Sequence, residues 1–180
     1  MRQDPAPLQT TLVFLRKDGR ILLGKKTRGH GAGKWNGAGG KCLPNEWPEE
    51  TARREVREEL GVTAMQLEPV GVLHFSQEPV IDEYSTITTY VYLCNEWEGQ
   101  PADSEELATL TWFTPDDLPY QTMWEDDAYW LPQVLAGEKV TGEFRFDNEY
   151  RMTSHEVTIN GANQPTLDIP SRVQEILSEE

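Results

Sequence analysis

Three glutamates at helical spacing are the residues of this sequence that point most directly to chemistry. Glu55, Glu58 and Glu59 stand at positions i, i+3 and i+4 in a segment without proline or glycine, so on a helix their carboxylates share one face. Carboxylates held this close repel one another, and a hard divalent cation with oxygen ligands relieves the repulsion. A solvated acidic helix face is the alternative. The cluster therefore predicts either a metal site or a surface without chemistry.

The helix that carries this cluster needs a start, an end and a docking face. Pro48 suits the first turn of a helix, and Gly61 is a typical residue for ending one. Trp47 is a poor N-cap by propensity, so we expect packing to compensate there. A stripe of apolar residues beside the carboxylates can dock the helix on a core: Ala52, Val56 and Leu60.

The residues before the helix extend the pattern into a long motif. The glycine pair Gly39-Gly40 is followed by an isolated Glu46 and then by Arg54 and the glutamates. From Gly40 to Val62 the spacing is G-x5-E-x7-R-E-V-x-E-E-x-G-V, which resembles the signature of the Nudix hydrolase family at every specified position. The resemblance implies hydrolysis of a nucleoside diphosphate linked to another group, with Arg54 and Glu46 pairing to tie the loop to the helix.

The resemblance also implies roles for the other residues of the motif. Glu55, Glu58 and Glu59 would be ligands of Mg²⁺, with Mn²⁺ as the alternative ion, and backbone groups of the turn at Gly40 would join them. Such a cation neutralises phosphate charge and lowers the pKa of bound water. Glu59 or Glu55 would orient or deprotonate that water, and Arg54 would hold the glutamates by ion pairing.

Charge is distributed unevenly along the chain. The net charge of −15 opposes a nucleic-acid polymer as partner. Yet Asp18 is the only acid among eight basic residues near the N-terminus: Arg16, Lys17, Arg20, Lys25, Lys26, Arg28, Lys34 and Lys41. A small polyanionic ligand, bridged to the carboxylates by metal, reconciles the two observations, whereas basic residues that merely decorate a hairpin are the alternative. We expect a small-molecule nucleotide substrate.

Length and patterning indicate a single domain. In the 180 residues we expect a disordered lead-in at 1–7, the main domain at 8–158 and a C-terminal appendage at 159–180 that ends in a helix-prone segment. Predicted strands interleave with two main helices, the second from Trp124 to Ala136. The predicted fold class is α+β, and the resemblance implies an α/β/α sandwich with a mixed, twisted sheet between helices.

The sequence also bears on compartment and assembly. Cys42 and Cys94 provide no disulfide framework, which favours a reducing environment. We find neither a signal-peptide pattern nor an apolar run approaching the roughly 20 residues of a membrane span. We therefore expect a cytoplasmic monomer without a membrane partner.

Substrate choice is indicated by a second, more specific resemblance within the same family, to the human-type MutT homologues, which act on oxidised purine nucleoside triphosphates. Three segments carry it: GHGAGKWNGAGGK (29–41), LTWFTPDDLPYQTMWEDDAYWLP (110–132) and TGEFRF (141–146). The positions that surround or line the purine site in that group are occupied here by Thr11, Lys26, Asn36, Trp124, Asp126 and Asp127. The resemblance implies conversion of 8-oxo-dGTP or 2-oxo-dATP to the monophosphate and pyrophosphate.

These residue types suit a purine. The indole of Trp124 offers a stacking face. An ionised aspartate accepts from the donors of guanine, and of two adjacent carboxylates in a desolvated pocket one has a raised pKa and can donate to an oxidised adenine. Asp126 and Asp127 could instead complement a helix N-terminus. Asn36 can both donate and accept, which suits the C6 carbonyl and the altered imidazole edge.

The chain departs from that group in a few places. The segment before Trp112 is one residue longer, which shifts Glu106, the candidate auxiliary metal ligand or base. His30 replaces an aromatic residue after Gly29, and Gln77 replaces another past Phe75. We expect His30 to be structural or on the surface, and Trp130 to be core.

Two rival functions stay open on the sequence alone. One is a Nudix hydrolase for another substrate, such as a dinucleoside polyphosphate or a nucleotide sugar. The other is a nucleotide-sensing protein that keeps the fold without chemistry, which the complete set of Arg54 and three glutamates opposes.

Overall fold

The computed structural model describes residues 6–160 and 167–172 of the 180-residue chain. Most of the predicted lead-in and most of the predicted C-terminal helix lie outside the described residues. In chain order the elements are β1 (Leu8–Lys17), β2 (Arg20–Lys26), β3 (Trp35–Asn36), α1 (Pro48–Leu60), β4 (Thr63–Gln77), β5 (Thr86–Glu98), β6 (Leu107–Phe113), α2 (Asp127–Leu135), β7 (Lys139–Phe146) and β8 (Met152–Asn160). Short 3₁₀ turns lie at Glu83–Ser85, Pro115–Asp117 and Tyr120–Thr122.

The strands of the described residues form one mixed sheet. Its order is β3-β2-β1-β5-β4-β7-β8, and β6 pairs with β2. Strands β1 and β5 run parallel, as do β4 and β7, while the remaining neighbours are antiparallel. This confirms the predicted mixed sheet.

The two helices cover opposite faces of the sheet. In β1, Leu12 and Phe14 face one core while Val13 and Leu15 face the other, as the alternation of a strand requires. Helix α2 packs Trp130, Leu131 and Val134 into the first core. Helix α1 packs Ala52, Val56 and Leu60 into the second. The predicted apolar stripe of α1 and the predicted sandwich are therefore confirmed.

The start of α1 is stabilised differently from our expectation. Glu50 reaches back and its Oε2 accepts the backbone N–H of Trp47 at 2.9 Å. This is one half of a capping box, so a side-chain hydrogen bond compensates for the poor N-cap residue. The helix ends as expected at Gly61, which takes a left-handed conformation with φ 71°.

Two predicted boundaries differ from the structure. Strand β8 continues to Asn160, so the sheet extends two residues past the predicted limit of 158. Helix α2 begins at Asp127 and not at Trp124, because Glu125 and Asp126 form a turn that precedes the helix. Beyond the gap, Leu167 and Ile169 pack on the α1 side of the core, and Arg172 pairs with Glu50 at 2.7 Å. No helix among the described residues is long and apolar enough to cross a membrane.

Candidate active site

The glycine pair lies between β1 and α1, where side chains have no room. The carbonyl of Gly40 accepts the backbone N–H of Thr11 at 2.9 Å. A Cβ on Gly39 would lie 1.9 Å from the Thr11 carbonyl oxygen, and one on Gly40 would lie 2.5 Å from Oε1 of Glu55. The clash at Gly39 is with the backbone, so glycine is required there, whereas a side chain at position 40 would displace the carboxylate of Glu55.

Arg54 organises the acidic residues around that turn. Its Nε and Nη2 donate to the two carboxylate oxygens of Glu46 at 2.9 and 3.0 Å. Its Nη1 donates to Glu55 at 2.6 Å and to Glu58 at 3.2 Å. Nη2 also donates to the carbonyl of Lys41 at 3.1 Å. The guanidinium thus holds the loop, the helix and two of the three glutamates in one network.

Glu46 is the fixed anion of this network. Besides Arg54, its Oε2 accepts from the hydroxyl of Thr51 at 2.7 Å and from the backbone of Leu43 at 3.2 Å. The hydrogen bonds from Arg54 lower the pKa of Glu46 to about 2. Glu46 is therefore ionised and fully engaged, which fits a structural role beside the glutamates of α1.

The three glutamates of the cluster differ in environment. Glu55 and Glu59 are buried, whereas the Glu58 side chain is 58% exposed. Burial raises the pKa of Glu55, and it raises the pKa of Glu59 to about 7. Glu59 accepts the backbone N–H of Gly39 at 3.0 Å. Two desolvated carboxylates with hard oxygen atoms fit a divalent cation, which would offset their cost of ionisation.

The acidic side chains that the structure describes do not by themselves form a complete metal site. Among the residues that the structure describes, no three His, Cys, Asp or Glu side chains converge as metal ligands. Glu106, just before β6, does not join the glutamate cluster. Its carboxylate instead accepts a hydrogen bond from Nη2 of Arg28 at 2.7 Å. Its charge nevertheless contributes to the raised pKa values of Glu55 and Glu59. The structure therefore places Glu106 near the cluster, but in an ion pair of its own.

A cavity of about 340 Å³ opens beside this cluster. Glu59 and the pair Gly39-Gly40 line one part of it. All six residues predicted to surround a purine line it as well: Thr11, Lys26, Asn36, Trp124, Asp126 and Asp127. Of the predicted residues, Arg54, Glu55, Glu58 and Glu106 lie outside the lining. The cavity thus brings together one glutamate of α1 and the whole predicted base site.

The two aspartates are buried at the start of α2. Nε1 of the fully buried Trp130 donates to Oδ2 of Asp126 at 2.9 Å. Asp126 is the N-cap residue of α2 and Asp127 lies in its first turn, so both carboxylates also stand at the helix N-terminus, although the side chain of Asp126 makes no capping hydrogen bond. Burial raises the pKa of both aspartates, and the charge of Asp126 raises that of Asp127 further. The pair therefore retains a proton more readily than ordinary aspartates.

Two polar atoms of the cavity residues lack a protein partner. Within residues 6–160 and 167–172, neither Oδ2 of Asp127 nor Oγ1 of Thr11 finds a hydrogen bond, although both atoms are buried. A buried polar atom without a partner costs free energy, so such atoms are expected where a ligand completes the bonding. These two atoms lie in residues of the predicted base site, which makes the cavity a candidate ligand site.

Loops contribute a cluster of aromatic rings to the cavity, and the sequence alone did not predict this cluster. The imidazole of His30 stacks on Trp124 with centroids 4.8 Å apart and planes at 27°. His30 also contacts the rings of Tyr84 and Tyr150, and all four residues line the cavity. His30 is exposed, as expected of a surface residue, but its stacking on Trp124 was not predicted. The signal that could have found it is its place between glycines, since a Cβ on Gly31 would lie only 3.0 Å from the Trp124 ring.

The chain is similar to known proteins both in sequence and in fold. The model of the NUDIX domain matches residues 6–134. The chain is 39% identical over 147 residues to the oxidized purine nucleoside triphosphate hydrolase of Danio rerio, covering 82% of this chain and 92% of the relative. It is 36% identical over 145 residues to the Mus musculus protein of the same name, covering 81% and 90%. The structure of a MutT protein from Bacillus halodurans superposes with a TM-score of 0.70 at 24% identity, covering 83% of this chain and 97% of that one.

Proposed function

The chain belongs to the NUDIX family of hydrolases, and on that premise we propose that it hydrolyses oxidised purine nucleoside triphosphates to the monophosphate and pyrophosphate. Substrates would be of the 8-oxo-dGTP and 2-oxo-dATP type, and the role would be to clear damaged nucleotides from the precursor pool. One observation carries the proposal: a single cavity is lined by the buried aspartate pair and also by Gly39, Gly40 and Glu59.

At the base end, the chain's own groups complement a purine. Trp124 would provide the stacking face, and Asp126 and Asp127 would bind the Watson–Crick edge, since all three line the cavity. Because Trp130 already donates to Asp126, that carboxylate is held as an acceptor, while Asp127 retains an unpartnered oxygen. Asn36 lines the same cavity, and its Oδ1 accepts the N–H of Gly37 at 2.9 Å, which leaves its amide N–H groups to donate to the C6 carbonyl or the oxidised imidazole edge.

At the phosphate end, the family uses divalent metal ions, and we propose Mg²⁺, with Mn²⁺ as a substitute. Glu55, Glu58 and Glu59 would hold the ion together with backbone oxygen at Gly40. When bound, the ion neutralises phosphate charge and promotes ionisation of the attacking water. The hydrogen bonds from Nη1 of Arg54 keep the carboxylates of Glu55 and Glu58 oriented for this role.

Proton transfer falls to the buried glutamates. We favour Glu59 as the base that orients or deprotonates the water, because its buried carboxylate lines the cavity, with Glu55 as the alternative. Arg28 occupies Oε1 of Glu106, so Glu106 would serve as an auxiliary ligand through Oε2.

The ammonium groups that line the cavity suit the same substrate. Lys26 and Lys41 are positively charged side chains of the lining, and both can neutralise a triphosphate. Together with the net charge of −15, this local positive charge supports a free nucleotide as substrate and not a nucleic-acid polymer. We propose that the enzyme acts as a cytoplasmic monomer.

The proposal is tested by identifying products from a panel of substrates. The protein with Mg²⁺ is incubated with 8-oxo-dGTP, 2-oxo-dATP, dGTP, a dinucleoside polyphosphate and a nucleotide sugar. We expect monophosphate and pyrophosphate from the two oxidised triphosphates. Efficient cleavage only of the polyphosphate or sugar would favour another Nudix substrate. Binding of all without turnover would favour a sensing protein.

A further inference from the structure

The connection between β4 and β5 folds into a fixed turn next to the cavity. The buried hydroxyl of Ser85 accepts the backbone N–H groups of Ile81 and Asp82 at 2.8 and 3.1 Å. The carboxylate of Asp82 in turn accepts the backbone N–H of Tyr84 at 2.9 Å. Because both ends of the turn are bonded, the backbone of Tyr84 is held at one place on the rim.

From that place the Tyr84 side chain contacts both ends of the cavity. Its ring faces the imidazole of His30, with centroids 6.3 Å apart and planes at 26°, and His30 stacks on Trp124. On the other side, the Lys41 ammonium lies 4.2 Å from the centre of the Tyr84 ring and hydrogen-bonds the tyrosine hydroxyl. Tyr84 therefore connects the base-stacking residues to the residue that follows the glycine pair.

Lys41 is tied to the catalytic segment through its backbone. Its carbonyl accepts Nη2 of Arg54, the residue that also orients Glu55. Its side chain lines the cavity and remains 45% exposed. The ammonium can therefore reach a phosphate group without any change in the backbone that precedes α1.

Glu83, the neighbour of Tyr84, contacts the same Lys41 ammonium, but it weakens the binding of a phosphate to that ammonium. Its carboxylate lies 3.5 Å from Nζ of Lys41. An acceptor hydroxyl keeps the ammonium in place without competing charge, whereas a carboxylate is an anion that a phosphate must displace. Adjacent residues of one turn thus act on Lys41 in opposite directions.

We propose that Tyr84 is a positioning residue, which holds the Lys41 ammonium over the path of the polyphosphate while its ring supports the His30–Trp124 stack, and that Glu83 is the counter-ion that the polyphosphate displaces. The proposal deepens the proposed function and rests on it for the identity of the nucleotide. It assigns no chemistry to Tyr84 itself.

The test compares two conservative substitutions with opposite expected signs. Tyr84→Phe keeps the ring but loses the hydroxyl, and we expect KM for 8-oxo-dGTP to rise about three- to fivefold with kcat unchanged. Glu83→Gln removes the competing anion, and KM should fall about two- to threefold. Glu78→Gln makes the same charge change in the same connection and serves as the matched control, with KM unchanged. A change of KM in the same direction in both variants, or a change of kcat with KM constant, would overturn the proposal.

A double-mutant cycle ties the effect to Lys41. In a Lys41→Met background, Tyr84→Phe and Glu83→Gln should no longer change KM, whereas in a Lys34→Met background both effects should persist. Effects that persist without Lys41 would overturn the proposal. Thermal unfolding of each variant reports whether the fold is intact.

Binding of inorganic tripolyphosphate with Mg²⁺, followed by calorimetry, separates this proposal from the proposed function. Tyr84→Phe should weaken that binding and Glu83→Gln should strengthen it, even if the natural substrate were not an oxidised purine. Binding of the nucleoside 8-oxo-deoxyguanosine, which lacks phosphate, should be unaffected by either. Unchanged tripolyphosphate binding in both variants would refute the role of Lys41, and loss of nucleoside binding in Tyr84→Phe would refute its separation from the base end.

Discussion

The backbone N–H of Gly39 donates to Oε2 of Glu59 at 3.0 Å, across 20 positions of sequence. This bond fixes the glutamate that lines the cavity against the turn that precedes the helix. The same carboxylate is buried, and burial raises its pKa to about 7. The metal-free fold therefore disfavours the ionised form of Glu59, and a cation bound beside the carboxylate would favour it.

Replacement of Glu59 by glutamine should separate stability from activity. The amide oxygen can still accept from Gly39, but the side chain no longer ionises. Because the folded pKa of Glu59 is raised above the ordinary value of 4.5, ionisation destabilises the native state as the pH rises from that value through about 7. We expect Glu59→Gln to raise the free energy of unfolding of the metal-free protein by on the order of 2 kcal/mol at about pH 8.

The same variant should lose turnover by roughly a thousandfold with Mg²⁺ present. Urea unfolding with a chelator at about pH 8 and about pH 5 checks the stability effect, since the gain should shrink at the lower pH. A variant with near wild-type kcat would contradict the assignment of the helix. A stability gain of equal size at both pH values would contradict the raised pKa.

Glu46→Gln tests the structural anion of the network. The folded pKa of Glu46 is lowered to about 2 from 4.5, so its ionised form stabilises the fold above the ordinary value, and that contribution is lost as the pH falls through the folded pKa. We expect the variant to unfold at lower urea concentration than the wild type at about pH 7, and the difference to narrow at about pH 3. We also expect kcat to fall about tenfold, because Arg54 loses the partner that fixes it.

A natural control for Glu46→Gln is Glu49→Gln. Glu49 pairs with Arg53 at 2.7 Å on the exposed side of the same helix. Surface ion pairs contribute little, so this variant should change neither stability nor kcat appreciably. A similar loss in both variants would mean that the helix responds to any charge change.

The sequence predicts the helix and its chemistry better than it predicts the walls of the cavity. Glu55, Glu58 and Glu59 follow a periodic pattern, and an isolated helix already places them on one face. Tyr84 and Tyr150 reach the cavity from separate connections, and no local spacing relates them to Trp124. The stacking of His30 on Trp124 was not predicted for the same reason, because it depends on how a glycine-rich loop folds back on a distant ring. The capping role of Glu50 was visible in principle, since it stands three residues after Trp47.

The aspartate pair should make substrate preference depend on pH. Burial raises the pKa values of Asp126 and Asp127, and the charge of Asp126 raises that of Asp127 further, so the free enzyme carries a proton on the pair to higher pH than usual. Rising pH removes the proton that donates to an oxidised adenine while keeping the acceptors for an oxidised guanine. We expect the ratio of kcat/KM for 2-oxo-dATP to that for 8-oxo-dGTP to fall between about pH 6 and about pH 9.

Asp127→Asn provides the control for that pH profile. Its amide neither gains nor loses a proton in this range, so the slope of the ratio should become much smaller and reflect only Asp126, whose pKa burial raises to about 6. If the wild-type ratio were already flat, or if the variant kept the slope, the aspartate pair would not be the titrating group.

Trp124→Leu should weaken nucleotide binding by removing the stacking face. Base–aromatic stacking is worth roughly 1–3 kcal/mol, so KM for 8-oxo-dGTP should rise about tenfold, and less in Trp124→Phe. Trp97→Leu is a matched control, because Trp97 stacks on Trp112 with centroids 6.0 Å apart and neither lines the cavity. Equal KM values for Trp124→Leu and the wild type would exclude Trp124 from the base site.

The decisive measurement is the ratio of kcat/KM for 8-oxo-dGTP to that for dGTP, determined with Mg²⁺ for the wild type and for Asn36→Ala. We predict that the wild type prefers the oxidised nucleotide by about tenfold or more and that the preference collapses in the variant, because Asn36 lines the cavity and has N–H groups free for the base. Equal kcat/KM values for the two nucleotides in the wild type, or a preference that survives loss of the Asn36 amide, would contradict the proposed base site.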